Sequence, residues 1–357
     1  MTSLKLALLA AAAVVMTGLA PGVAARAQTT TFAIKPIVIA GDDNVQATAL
    51  NDAGVIVGSL YAGITDAESG FSIAGNTVTT LPAPNTSGNG FNPRAIDAAG
   101  NIYGWGHTAI GTAGAALTYY LSSNGTYNTN YQSIVVAPGS FEPHIIPVAM
   151  GLNAKGEVFF NTIYSLSGPV GSNYGKPPNY RSAPPIDRFT EIESLNLSGE
   201  IVVEGYSFNG VTSLFVGSGQ SFTQVLPAGS INTRGGLLND GGSVAGSYLD
   251  ASRAPHGFVY RAGVYKTFDM PEAASAVTVT GFNNSGRVVG TYTASSNGNQ
   301  HGFLFNESTV STFGAFAGLD TVKLAISNKG AIIVADQINT QTPKYLSYRV
   351  TCSGAGC

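Results

Sequence analysis

His107 in "GWGHTA", His144 in "FEPHIIP" and Tyr180 in "PPNYRS" are side chains whose types suit proton exchange, and Arg94, Arg181 and Arg234 carry guanidinium forks that suit a carboxylate. Together they would make an elimination site for uronic-acid chains, with an arginine neutralising the carboxylate while a histidine or tyrosine moves the proton. Tyr174 and Lys176 extend the set toward substrate binding, since aromatic faces stack on sugar rings and a cation attracts an acidic glycan. Several of these residues, with Tyr164 and Arg188, fall in "YSLSGPVGSNYGKPPNYRSAPPIDRF" at 164–189, a Pro-, Tyr- and Arg-rich stretch in an otherwise acidic chain. A rigid surface loop explains the same stretch without a ligand.

Other chemistry is set aside on the residues. There is no Gly-x-Ser-x-Gly elbow, no His-Glu-x-x-His, no phosphate-binding Gly-x-x-x-x-Gly-Lys and no EF-hand loop. "GFSIA" at 70–74 approaches the nucleophile elbow but sits in the phase of a strand. "AGDDN" at 40–44 offers oxygen ligands to calcium, and a solvated loop is the simpler reading. Two cysteines and scattered histidines do not make a zinc site, so neither metal nor cofactor is expected.

The elements that position these side chains come from a repeat. Seven copies of one turn end at Gly54, Gly100, Gly156, Gly199, Gly242, Gly286 and Gly330: "LNDAG", "IDAAG", "LNAKG", "LNLSG", "LNDGG", "FNNSG" and "ISNKG". Each is followed by an apolar run such as "VIVGSL" or "RVVGTY", then by a second run such as "HGFVYRAG" or "HGFLFNES". A third run closes the unit, and the residues before each turn form a fourth. Four short strands in each ~40–45 residues describe one propeller blade, so the expected fold is an all-β, seven-bladed β-propeller. A β-helix is the rival, with coils usually much shorter than this period. The segment "FAIKPIVIA" at 32–40 precedes the first repeat, and the last repeat lacks a fourth strand. The N-terminal strand is therefore expected to complete the last blade beside the C-terminal one, removing two open edges.

Repeat phase separates structure from function. His256 and His301 occupy one blade position twice and are read as structural, as are the turn residues, including Asp52 and Asp240. His107 follows a second strand and His144 precedes a first, and those loops open on the face opposite the Asn-x-x-Gly turns, around the channel mouth. Arg94 and Arg234 are placed in the loops leading into first strands, on that same face.

Residues 1–27 read as a signal peptide: Lys5, an apolar run, then Ala25-Arg26-Ala27 before the cleavage point. A propeller domain is expected over 28–351 and a cysteine loop over 352–357, where Cys352 and Cys357 pair in an oxidising compartment. Removing Lys5 and Arg26 leaves 15 basic against 20 acidic residues, a net charge of −5, which argues against nucleic acid as a partner. No later run approaches the ~18 apolar residues of a membrane span. A periplasmic or secreted monomer is expected.

The block of hydrophobic-Asn-x-x-Gly-x-Val-Val-Gly followed by His-small-Phe resembles the bacterial extracellular repeats of the HAF family. The likeness runs from about Gln46 to Val350 and rests on His256-Gly257-Phe258 and His301-Gly302-Phe303. It implies a repeat fold and carries no shared catalytic motif. The leading expectation is a non-catalytic propeller that binds a glycan or protein partner of the cell envelope through its irregular loop face. The alternatives are a polysaccharide lyase using the His, Tyr and Arg set, and a purely structural surface protein.

Overall fold

The computed structural model describes residues 30–61, 69–84, 90–108, 115–131, 134–136, 150–162, 171–186, 189–207, 209–272, 274–316, 321–338, 344–354 and 356–357. It is a seven-bladed β-propeller whose blades are antiparallel sheets. From the channel outward, blade 6 shows the pattern: Ala274–Phe282, Arg287–Ala294, Gln300–Asn306 and Thr309–Phe316. The channel-lining inner strands of the other blades are Val45–Leu50, Phe91–Ile96, Met150–Leu152, Phe189–Leu195, Ser230–Leu238 and Thr321–Ile326.

Second strands carry continuous apolar runs because both their faces are covered by neighbouring blades. Ile56–Leu60 is buried at every position, while the outer strand Val264–Phe268 is buried only at its end. Alternate residues of one strand serve different interfaces: Val288 packs toward Phe268 of blade 5, and Val289 toward Leu324 and Val334 of blade 7. The His-Gly-Phe element is packing throughout. His256 stacks on Tyr248 and His301 on Tyr292, with ring centroids 4.8 and 5.1 Å apart. His256 also meets Asp269 at 2.5 Å. Gly257 and Gly302 leave room for the rings of Phe268 and Phe313, and Phe258 and Phe303 are fully buried.

The recurring turn asparagine has two tasks. Its Oδ1 accepts backbone N–H groups two and four residues on, as Asn51 does from Ala53 and Val55 at 3.1 and 3.0 Å, while Gly54 takes a φ of +78°. Its Nδ2 donates to the same position in the next blade: Asn51 to Asp97 O at 3.0 Å, Asn153 to Asn196 O at 2.9 Å and Asn283 to Ser327 O at 3.0 Å. Asn196 and Asn239 continue the belt to Asn239 O and Asn283 O at 3.4 and 3.3 Å. Asp97 and Ser327 have no amide to hand on. At the seam, Asn328 instead donates from its backbone N–H and Nδ2 to Asp52 at 2.6 and 3.1 Å. Between blades 2 and 3, Tyr131 donates its hydroxyl to Gly156 O at 2.7 Å. Each buried Val, Leu or Phe contributes roughly 1.5–3 kcal/mol and each such bond about 1 kcal/mol, so packing holds the blades together and the belt fixes their register. Asn283→Asp keeps the turn acceptors, removes the donor and sets a carboxylate oxygen against Ser327 O; a loss of about 1–3 kcal/mol is expected in urea unfolding. An unchanged midpoint would mean that the interblade bond contributes nothing.

The N-terminal strand Thr31–Pro36 pairs antiparallel with Lys344–Ser353 and completes blade 7 as its outermost strand. Phe32 packs on Phe313 at 4.6 Å between ring centroids. A Cys352–Cys357 disulfide folds the tail back at this seam, where the Gly356 N–H donates to Thr30 Oγ1 at 3.1 Å.

Two blades depart from the sequence reading. The 164–189 stretch, expected to replace the usual strand pair, holds a regular hairpin of Gly171–Lys176 with Asn179–Ser182 around Pro177-Pro178. Pro177 and Pro178 sit in the turn and Pro184 and Pro185 after the last strand, where no ladder N–H is needed. Blade 2 is the irregular one, since Tyr127–Asn128 and Ile134–Val136 both pair with Ala115–Leu121.

Candidate functional site

The turn belt surrounds one mouth of the central channel, and a cavity of about 240 Å³ opens there. Leu50, Ile96, Leu152, Leu195, Leu238, Phe282 and Ile326 all line it, one from each blade and each four residues before its turn glycine. Apolar side chains so placed form a collar. Outside it lies a second rim at the residue after the turn asparagine, which is polar at Asp52, Asp240, Asn284 and Asn328 and apolar at Ala98, Ala154 and Leu197. The polar half is knitted together: Asn284 Nδ2 donates to Asp240 Oδ2 at 2.6 Å, and the Asn284 N–H to Asn328 Oδ1 at 2.7 Å. Asp52 and Asp240, read from sequence as structural, serve the belt and also border the cavity.

Deeper in the channel the wall is charged. β-Bulges at Arg94 and Glu193 each add one residue to an inner strand and turn it to the lumen. Glu191 stands opposite Glu204 in the ladder of blade 4, and Glu204 is buried, accepting the Gly235 N–H at 3.0 Å. Burial and the neighbouring carboxylates of Glu204 and Glu191 push Glu193 up to about 8, against the pull of Lys323. Burial also raises Glu204, opposed by the Gly235 N–H, Tyr206 and Arg234, and raises Glu191 together with the Glu204 charge. Across the lumen, enclosure and the nearby Arg94 guanidinium lower the Lys323 ammonium, while Glu193 acts the other way.

Among the described residues, those singled out from sequence are not gathered in one place. Arg94 and Arg234 lie within inner strands, not in the loops leading to them, because the bulges lengthen those strands. Arg234 is exposed, and its Nε donates across to Thr212 Oγ1 of blade 4 at 3.3 Å. Tyr174, proposed to bind substrate, is 2% exposed, and its hydroxyl accepts the Gly219 N–H at 3.1 Å, so it is a core residue bridging blades 3 and 4. Tyr180 packs edge-on against Phe160 at 5.4 Å in the core between blades 2 and 3. Lys176 and Arg181 are exposed on the two outer strands of blade 3, whose hairpin emerges on the same face as the Asn-x-x-Gly turns. His107 closes the strand Ile102–Thr108, at the other face. Its side chain, and the whole of His144, Tyr164 and Arg188, lie outside the described residues.

Sequence reading passed over the collar and Glu191, Glu193, Glu204 and Lys323. The collar was visible as the apolar letter opening each of the seven turns. Glu193 and Arg94 share a position six before the turn glycine where blades 1 and 6 carry Thr48 and Thr280. A charge there breaks phase.

No protein-family model matches the chain, and no characterised protein matches it in sequence. Among solved structures, the β-propeller domain of the Trilobed protease from Pyrococcus furiosus, described as having an open velcro topology, is similar with a TM-score of 0.56 at 7% identity, over 86% of this chain and 94% of that one. TolB from Acinetobacter baumannii has a TM-score of 0.44 at 12% identity, over 87% of this chain, which spans only 65% of that protein. The Aleuria aurantia lectin has a TM-score of 0.42 at 9% identity, over 77% of this chain and 99% of that one. At 7% identity the likeness to the Trilobed protease domain speaks to the fold alone, and it agrees with the strand order in making this chain a β-propeller.

Proposed function

We propose that this chain is an exported HAF-type repeat propeller that binds a protein partner non-catalytically, seating an apolar side chain of that partner in the collar. The observation that carries this reading is the cavity to which all seven blades contribute an apolar residue at one repeat position. The rim favours a protein over a glycan. Sugar recognition needs free hydrogen-bonding groups, whereas the polar rim residues are bonded to one another: Asn284 and Asp240 exchange bonds, the Asn284 N–H donates to Asn328, and Asn328 donates to Asp52. The lyase reading draws less support, because Tyr180 packs against the core between blades 2 and 3 while Arg94 and Arg234 belong to the inner strands of blades 2 and 5. The N-terminal leader pattern and the Cys352–Cys357 disulfide support export to an oxidising compartment.

The test is selection of random displayed peptides against the full chain, with affinities then measured in solution. Peptides anchored by Leu, Ile or Phe are expected, losing at least about tenfold in affinity against Leu195→Arg, which charges the collar at a half-exposed position. Peptides that bind both forms equally, or a glycan-array signal indifferent to the substitution, would overturn this reading.

A further inference from the structure

The side of the channel formed by blades 7, 1 and 2 is chemically unlike the collar. Arg94 reaches it from the inner strand of blade 2 and Lys323 from that of blade 7, with blade 1 between them. The two cations are close enough that the Arg94 charge helps to lower the Lys323 ammonium. Neither forms an ion pair among the described residues. Arg94 Nε is enclosed by protein and meets no acceptor there, and a buried donor left in that state costs about 1–3 kcal/mol.

The surroundings are held firmly. Tyr61 of blade 1 packs on Tyr345 of blade 7 at 4.8 Å between ring centroids, and its hydroxyl donates to Gln46 Oε1 at 3.0 Å. Asn44 joins the same blades by accepting the Tyr345 N–H on Oδ1 at 2.7 Å and the Tyr61 N–H on its carbonyl at 3.2 Å. Burial and the neighbouring Tyr61 push the Tyr345 hydroxyl up, and the Arg94 charge opposes that rise. On the opposite wall, the carboxyl of Glu193 is held largely neutral at pH 7, so it leaves Lys323 without a full counter-charge.

We propose that Arg94 and Lys323 together form a binding site for a small oxyanion, a carboxylate or phosphate group, entering the channel beside the Tyr61–Tyr345 pair. Two cations brought together from the inner strands of blades 2 and 7 suit such a group, and the enclosed Arg94 Nε supplies a directional donor that now lacks an acceptor. The site is independent of the collar, which takes an apolar group.

The experiment is titration calorimetry of the full chain with sodium galacturonate, acetate and inorganic phosphate, with glucose as the uncharged control. Saturable binding of at least one oxyanion is expected, weakened at least about tenfold in Arg94→Gln and in Lys323→Gln and lost in the double variant. Arg261→Gln, on an outer strand, should bind as wild type. Arg94→Lys, which keeps the charge without the fork, should bind with intermediate affinity and guards against a folding defect in Arg94→Gln. Preference for galacturonate and acetate would assign the ligand to the carboxylates, and preference for phosphate to the phosphates; both uphold the site. No saturable oxyanion binding, equal binding by the double variant, or equal binding of glucose would overturn it.

Discussion

Gly290→Ala is expected to destabilise the propeller by about 3 kcal/mol or more. A Cβ at this position would lie 2.0 Å from the Thr278 carbonyl oxygen and 2.8 Å from the ring of Phe303. The first of these is backbone of the inner strand, beside the bulge at Thr280, and it cannot move without disturbing the channel wall. The second is a fully buried ring between blades 5 and 6. The same crowding recurs at Gly58 against Gln46 O and at Gly104 against Asn92 O, both at 2.1 Å, so the Val-Val-Gly glycine answers a close approach of strands. Urea unfolding checks the magnitude. Adding Phe303→Leu should not rescue the variant, because the carbonyl clash remains. A midpoint near wild type for Gly290→Ala would show that the inner strand withdraws freely.

Glu193→Gln is expected to stabilise the protein at alkaline pH and to leave it unchanged in acid. The folded-state value near 8 lies above the ordinary 4.5 because burial and the charges of Glu204 and Glu191 disfavour ionisation more than Lys323 favours it. The native state therefore binds more protons than the unfolded chain between these values, and stability falls as pH rises through that window. Below about pH 4.5 the carboxyl is neutral in both states, and glutamine gives no advantage. Above about pH 8 the advantage is full, about 2 kcal/mol after allowing for screening by solvent in the channel. Thermal midpoints of both forms from about pH 4 to pH 9 should diverge steadily, with Glu191 and Glu204 adding to the slope in both. Parallel curves would show that Glu193 is ionised and satisfied in the fold at neutral pH.

The sequence by itself determined the architecture. Seven turns of the form Asn-, Asp- or Ser-x-x-Gly, near a 44-residue period, fixed the blade count, because a blade cannot bury both faces alone and each turn needs a residue that tolerates positive φ. The unused apolar segment at the N-terminus and the missing last strand specified the closure, and the paired cysteines their own loop. What the repeat concealed was which of its positions face the channel. The letter opening each turn reads as core in any one blade, and only the circular arrangement brings Leu50, Ile96, Leu152, Leu195, Leu238, Phe282 and Ile326 to one cavity. Arg94 and Arg234 were recognised as phase-breaking but placed in loops, since a bulge adds a residue without leaving a distinct pattern. Tyr174 looked like a sugar platform until strand alternation turned it into the core beside Ile192 and Val203. Local sequence sets turns and strands through short-range sterics and alternation, while the approach of Arg94 in blade 2 to Lys323 in blade 7 depends on distances across a closed ring that only the tertiary structure decides.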